Sequence, residues 1–151
     1  MNTLIPIINE IVKFGLEPNL AVPNKEQLLE RNLVTIYQLY FDIAYTFDET
    51  QYADFDKTLL PDIRGNVASN FSDFGLYKKV DEISAIDKVD ALLIGDAVDD
   101  LCDIITDLLE VRWRIENNSL DDGLWFFELI FRTHTQQHLL DLLNYLKQTK
   151  G

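Results

Sequence analysis

The chain has 151 residues, 47% of them hydrophobic, with 26 acidic residues against 13 basic ones and a formal net charge of −13. This length fits one domain, expected over residues 1–151, and the apolar fraction is enough for a core, which excludes wholesale disorder. Such acidity excludes DNA, RNA and anionic membranes as partners unless a local basic patch exists. Lys78 and Lys79 are the only adjacent basic pair. A basic protein or peptide, or a divalent metal ion, is electrostatically easier. Cys102 is the only cysteine, so neither an internal disulfide nor a thiolate metal site is expected. The N-terminal stretch MNTLIPIINEIVKFG has no basic residue before Lys13, and Pro6, Asn9 and Glu10 interrupt its apolar run. It does not read as a signal peptide, and the default location is cytoplasmic.

A first helix is expected over Thr3–Phe14, with Leu4, Ile8 and Ile11 on one side and Gly15 as its stop. Asn24 followed by Gln27 reads as a capping box. The second helix should then run to about Phe47, because Leu29, Leu33, Ile36, Tyr40, Ile43 and Phe47 recur at spacings of four and three. DETQYADFDKTLLP is a polar loop. Ile63, Val67 and Phe71 mark a short helix after Pro61, and LYKKV is left without an assignment. A long helix is expected from about Ala91 to Asn117. NNSLDDG supplies a turn and the next cap, and a last helix covers about Asp121 to Lys147. The fold class that follows is all-α, a mainly antiparallel, up-down bundle of about five helices.

The strongest chemical pattern is IGDAVDDLCDIITDLLEVRWRIE. At 3.6 residues per turn Asp96, Asp100, Asp103 and Asp107 form one stripe, flanked by Asp99 and Glu110, with Val98, Leu101, Ile105 and Leu108 opposite. Like charges at this spacing destabilise a bare helix by about 0.2–0.5 kcal/mol per pair. The simplest expectation is a solvated acidic face; a bound cation or a basic partner would offset the repulsion further. Arg112 continues the apolar stripe and should snorkel or meet a carboxylate, with Asp42 and Glu128 as the candidates. His134 and His138, the only histidines, leave one face of the last helix, beside Leu124, Phe127, Phe131, Leu142 and Tyr145. A metal held by them would need further ligands from another helix, and Asp100 and Asp103 are the candidates. His-Thr-Gln-Gln-His lacks the glutamate of the H-E-x-x-H zinc peptidases, and no nucleophile elbow or phosphate-binding glycine loop occurs. Core histidines satisfied by a carboxylate are therefore the first expectation, with no cofactor, and a divalent metal ion is the alternative.

From about Asp62 to Leu146 the chain resembles an uncharacterised bacterial family, domain of unknown function 5063. The similar pieces are FSDFGLYKKV, IGDAVDDLCDIITDLLEV, the tryptophan in DDGLWFFELIF, and FRTHTQQHLL. Between the histidines that family usually carries Trp-Gly, where this chain has Thr135, Gln136 and Gln137. The resemblance implies a compact helical protein and directs attention to Asp100, Asp103, Trp125, Phe131, His134 and His138 as one cluster. With Arg112 and Glu128 these make up the candidate polar site. Two functions remain open: a non-enzymatic binding or interaction module, expected first, and a metal-dependent hydrolase built from the aspartate stripe and the histidine pair.

Overall fold

A computed structural model describes residues 2–88 and 92–150. The chain is mostly helical, with one small two-stranded sheet. Helix α1 spans Leu4–Leu16 and buries Leu4, Ile8, Ile11, Val12 and Phe14. Gly15 does not stop it. The helix runs one residue beyond it, and Gly15 is instead a contact point: a Cβ there would lie 2.9 Å from side-chain carbons of both Ile105 and Ile63. Pro18 ends the helix instead, holding Glu17 in the extended region at φ −135°, ψ 139°. Helix α2 covers Lys25–Phe41. The expected capping box is not formed, since Asn24 sits in the left-handed region at φ 54°, ψ 46° and its side chain makes no cap bond.

Helix α2 also ends six residues before Phe47. The following residues leave it to cross the C-terminal helices, where the Tyr45 hydroxyl donates to Glu128 (3.0 Å), the Thr46 N–H donates to Asp121 (3.3 Å), and Phe47 meets Trp125 edge-on. A single turn of 3₁₀ helix, Lys57–Leu59, interrupts the long loop before α3, Ile63–Asn70. Asn70 is buried and locks α3 to the end of α1. Its Nδ2 donates to the carbonyls of Phe14 (2.9 Å) and Glu17 (2.8 Å), while its Oδ1 accepts from the Leu20 N–H (2.8 Å).

LYKKV is strand β1, Leu76–Val80, and it pairs antiparallel with β2, Leu92–Asp96. The mostly helical expectation holds, and this sheet is the part of the fold it did not include. The expected helix start at Ala91 lies outside the described residues; helix α4 begins at Ala97 and ends at Asn117. Leu92 and Ile94 read as helical because they are apolar, yet both are exposed on the outer face of the hairpin. The inner face carries Tyr77 and Lys79 toward α4 and the last helix. Asp96 closes the strand and caps α4, its side chain accepting the Val98 N–H at 2.9 Å.

Ser119 caps helix α5, Leu120–Ile130, by accepting the Asp122 N–H at 3.0 Å. Helix α5 continues through a π-helical turn, Phe131–Thr135, into α6, Gln136–Lys150, so the three pieces form one rod and the described residues hold five helices in all. The π turn has a reason in the sequence. Phe127, Phe131, Thr135 and Leu139 are all buried and follow one another at four-residue intervals. A helix of 3.6 residues per turn would carry that row off the core, and one wider turn absorbs the excess residue. The rod folds back along α4, so that its earlier residues face the later residues of α4: Thr135 meets Asp107 and His138 meets Asp100.

Candidate metal centre

The acidic stripe is not a solvated face. Asp100 and Asp107 are 3% and 7% exposed, and both point into the seam between α4 and the C-terminal rod. Buried carboxylates need donors, and each has two. His134 Nδ1 lies 2.7 Å from Asp107 Oδ2, and the Thr135 hydroxyl donates to the same oxygen at 2.7 Å. His138 Nδ1 lies 2.8 Å from Asp100 Oδ1, and the Tyr77 hydroxyl donates to Asp100 Oδ2. Tyr77 reaches α4 across Gly95, its partner in the ladder: a Cβ at Gly95 would fall 2.2 Å from Tyr77 Cζ. The outer members of the stripe are also occupied, with Arg64 bridging Asp96 (3.0 Å) and Asp99. Glu110 pairs with Arg114 at 2.8 Å.

These bonds fix the imidazoles. With each Nδ1 given to a buried carboxylate, each Nε2 is left free of those bonds, and that of His138 faces Asp103 on the intervening turn of α4. His138 Nε2 is 3.2 Å from Asp103 Oδ2, and the two rings are 4.7 Å apart between centroids. One ligand atom from each of Asp103, His134 and His138 lies within 4.8 Å of the others. Donors bound at about 2.0–2.1 Å around a tetrahedral ion stand roughly 3.3 Å apart, so modest side-chain rotation would close the set. The side chains of Asp103 and His134 are 44% and 43% exposed, which leaves the outer side open to solvent.

Protonation follows the same geometry. The hydrogen bond to Asp100 raises the pKa of His138; burial opposes it, and the charges of Asp103, Asp100 and Asp107 add to the rise. Burial pushes the Asp107 carboxyl up, against the hydrogen bonds from Thr135 and His134. The metal-free arrangement thus favours a His138 imidazolium held between Asp100 and Asp103.

Four expected members of the cluster lie elsewhere. Arg112 pairs with neither Asp42 nor Glu128. It donates to Asn9 Oδ1 at 2.8 Å and lies 3.9 Å from Glu116, because the α4 stripe has rotated to the α1 side of the bundle by that turn. Glu128 accepts from Tyr45. Trp125 meets Phe47 and lies near the guanidinium of Arg114. Phe131 is core, stacked on Tyr40. Cys102 is half-buried, and burial pushes its thiol up to about 11, which suits a packing role. Sequence reasoning missed Tyr77, Gly95 and Thr135. Asp107 stood in the stripe but outside the cluster, although its spacing of four from Asp103 already placed it beside the next turn. No family model, curated protein or solved structure matches the chain.

Proposed function

We propose that the protein binds one divalent transition-metal ion through His134 Nε2, His138 Nε2 and Asp103, as a centre of the catalytic type. The observation that carries this is the pair of buried carboxylates behind the histidines. Asp107 and Asp100 each take an Nδ1–H, the outer-sphere arrangement that orients metal-binding imidazoles and raises their basicity. Two imidazoles and one carboxylate suit zinc, cobalt, nickel or iron(II) rather than magnesium or calcium, which prefer all-oxygen sets. Three protein ligands leave a position for water, and zinc lowers the pKa of such a water to about 7, the reagent of metal-dependent hydrolysis. Hydrolysis is therefore the chemistry this centre supports best. The second reading, a binding module for a basic protein or peptide, is favoured by the net charge of −13, but two of its four stripe aspartates are turned inward.

The test is titration of tag-free, metal-stripped protein with Co²⁺ and Zn²⁺, followed by visible absorption and calorimetry. One ion per chain is expected, with the visible bands of a four- or five-coordinate cobalt site. His134→Gln and His138→Gln should each weaken binding at least tenfold, and the double variant should abolish it. Asp107→Asn should weaken it by about 10- to 100-fold without removing a ligand. Binding that is unchanged in the double histidine variant, or absent from the wild type at millimolar metal, refutes the proposal.

A further inference from the structure

One helical stripe from the histidine pair, α6 and the hairpin line a half-open cavity of about 470 Å³. Its apolar walls come from Val80, Ile83, Leu93 and Leu140, and its polar edge from Lys79, Gln137 and Asp141. That edge is ordered. Asp141 accepts from Lys79 Nζ at 3.1 Å and from Gln137 Nε2 at 2.9 Å. It also neighbours the candidate metal centre along the helix. Gln137 follows His134 by three residues and Asp141 follows His138 by three, so the edge lies on the neighbouring stripe of the same helix. On β1, Lys79 stands two residues beyond Tyr77, on the same inner face, a separation of roughly 7 Å. Tyr77 holds Asp100, which holds His138. Lys79 is already neutralised by Asp141, so the described residues of the lining offer no free cation, and Asp81 adds negative charge at the rim.

Resting on the metal-centre reading, we infer that this cavity is the subsite that receives the body of the centre's ligand. The ligand class is a small molecule with a neutral Lewis-base head, for the metal, and a short apolar tail, for the Val80–Leu93–Leu140 walls. An anionic head is disfavoured. Asp100, Asp103 and Asp107 surround the metal position, and among the described residues no unpaired lysine or arginine lines the cavity to compensate.

The test uses N-alkylimidazoles, neutral metal donors that differ only in tail length, titrated into the Co²⁺-loaded protein while its visible bands are followed. Affinity should rise by roughly three- to fourfold per methylene from 1-methyl- to 1-butylimidazole, the equivalent of about 0.8 kcal/mol per buried methylene. Leu140 is 43% exposed, so Leu140→Asn should fold. That variant should bind 1-methylimidazole as the wild type does and lose most of the gain with tail length. Acetate should bind more weakly than 1-methylimidazole. A flat dependence on tail length, or a gain unchanged in Leu140→Asn, overturns the subsite while leaving the metal centre standing. Failure of Co²⁺ to bind at all defeats both.

Discussion

Thr135 provides the sharpest test of how the centre is held. Its side chain is 1% exposed, and its hydroxyl is 2.7 Å from Asp107 Oδ2, with the Ile130 carbonyl a more distant alternative at 3.3 Å. Thr135→Val keeps the volume and the β-branching and removes only the donor. A hydrogen bond to a charged group contributes about 1.5–3 kcal/mol, and the new methyl takes the hydroxyl's place against the Asp107 carboxylate, so it returns little of that. The net loss should be about 1.5–3 kcal/mol. Thr133 is the control. It lies on the same turn but is exposed, and its hydroxyl bonds back to the Leu129 carbonyl at 2.7 Å. Thr133→Val should change stability by less than about 0.5 kcal/mol, as surface substitutions do. Urea unfolding of metal-free protein at neutral pH measures both, with a constant slope against urea confirming that the unfolded state is unchanged. If the two variants fall within 0.5 kcal/mol of each other, Asp107 does not depend on Thr135, and the inward-turned stripe is held some other way.

Two further expectations concern the scaffold. A Cβ at Gly123 would lie 2.2 Å from Ile115 Cγ1 and 3.0 Å from its backbone nitrogen. Overpacking at about 1–3 kcal/mol should therefore exceed the helix-propensity gain of about 1 kcal/mol, and Gly123→Ala should lower Tm; a higher Tm would show that α4 and α5 are not in close contact there. Asp48 accepts hydrogen bonds from Ser119 and Tyr52 (both 2.5 Å) and from the Thr50 N–H, which hold its carboxyl well below the usual range. Its contribution is complete above the unfolded value of about 3.9 and is lost as pH falls toward the lower folded value, so wild type should lose stability relative to Asp48→Asn over that acid range, and parallel curves would refute the pairing.

The helices were legible because burial writes a period into sequence. Leu29, Leu33 and Ile36, or Leu101, Ile105 and Leu108, are buried at the expected spacings. The hairpin was not legible for the same reason: Leu76, Val80, Leu92 and Ile94 are exposed, so the alternation of β1 and β2 carries no apolar signature of an inward face. Asn24 matched the capping-box pattern in residue type, but capping requires an extended backbone and Asn24 is left-handed. In the site, the histidine pair and the stripe were visible, while their order was not. Residue type cannot show that Asp100 and Asp107 stand behind the rings and Asp103 in front, because that depends on the phase the π turn sets between two helices distant in sequence.

That order also explains how so much negative charge can be packed along one seam. Asp100, Asp103 and Asp107 lie on successive turns of α4, and the described residues place no lysine or arginine against them. Lys79, the nearest cation on β1, is committed to Asp141 instead. The donors are two neutral hydroxyls, from Tyr77 and Thr135, and two imidazoles. A hydroxyl satisfies a carboxylate without cancelling its charge, so the field at the two Nε2 atoms stays strongly negative. In the proposed centre a divalent cation at these nitrogens supplies the compensating charge. A lysine or arginine in place of either hydroxyl would satisfy the same carboxylate and would remove the negative field on which the proposed metal site relies. The choice of neutral donors to these carboxylates is what distinguishes this seam from an ordinary ion pair such as Arg114 with Glu110 and Asp122 toward the C-terminal end of α4.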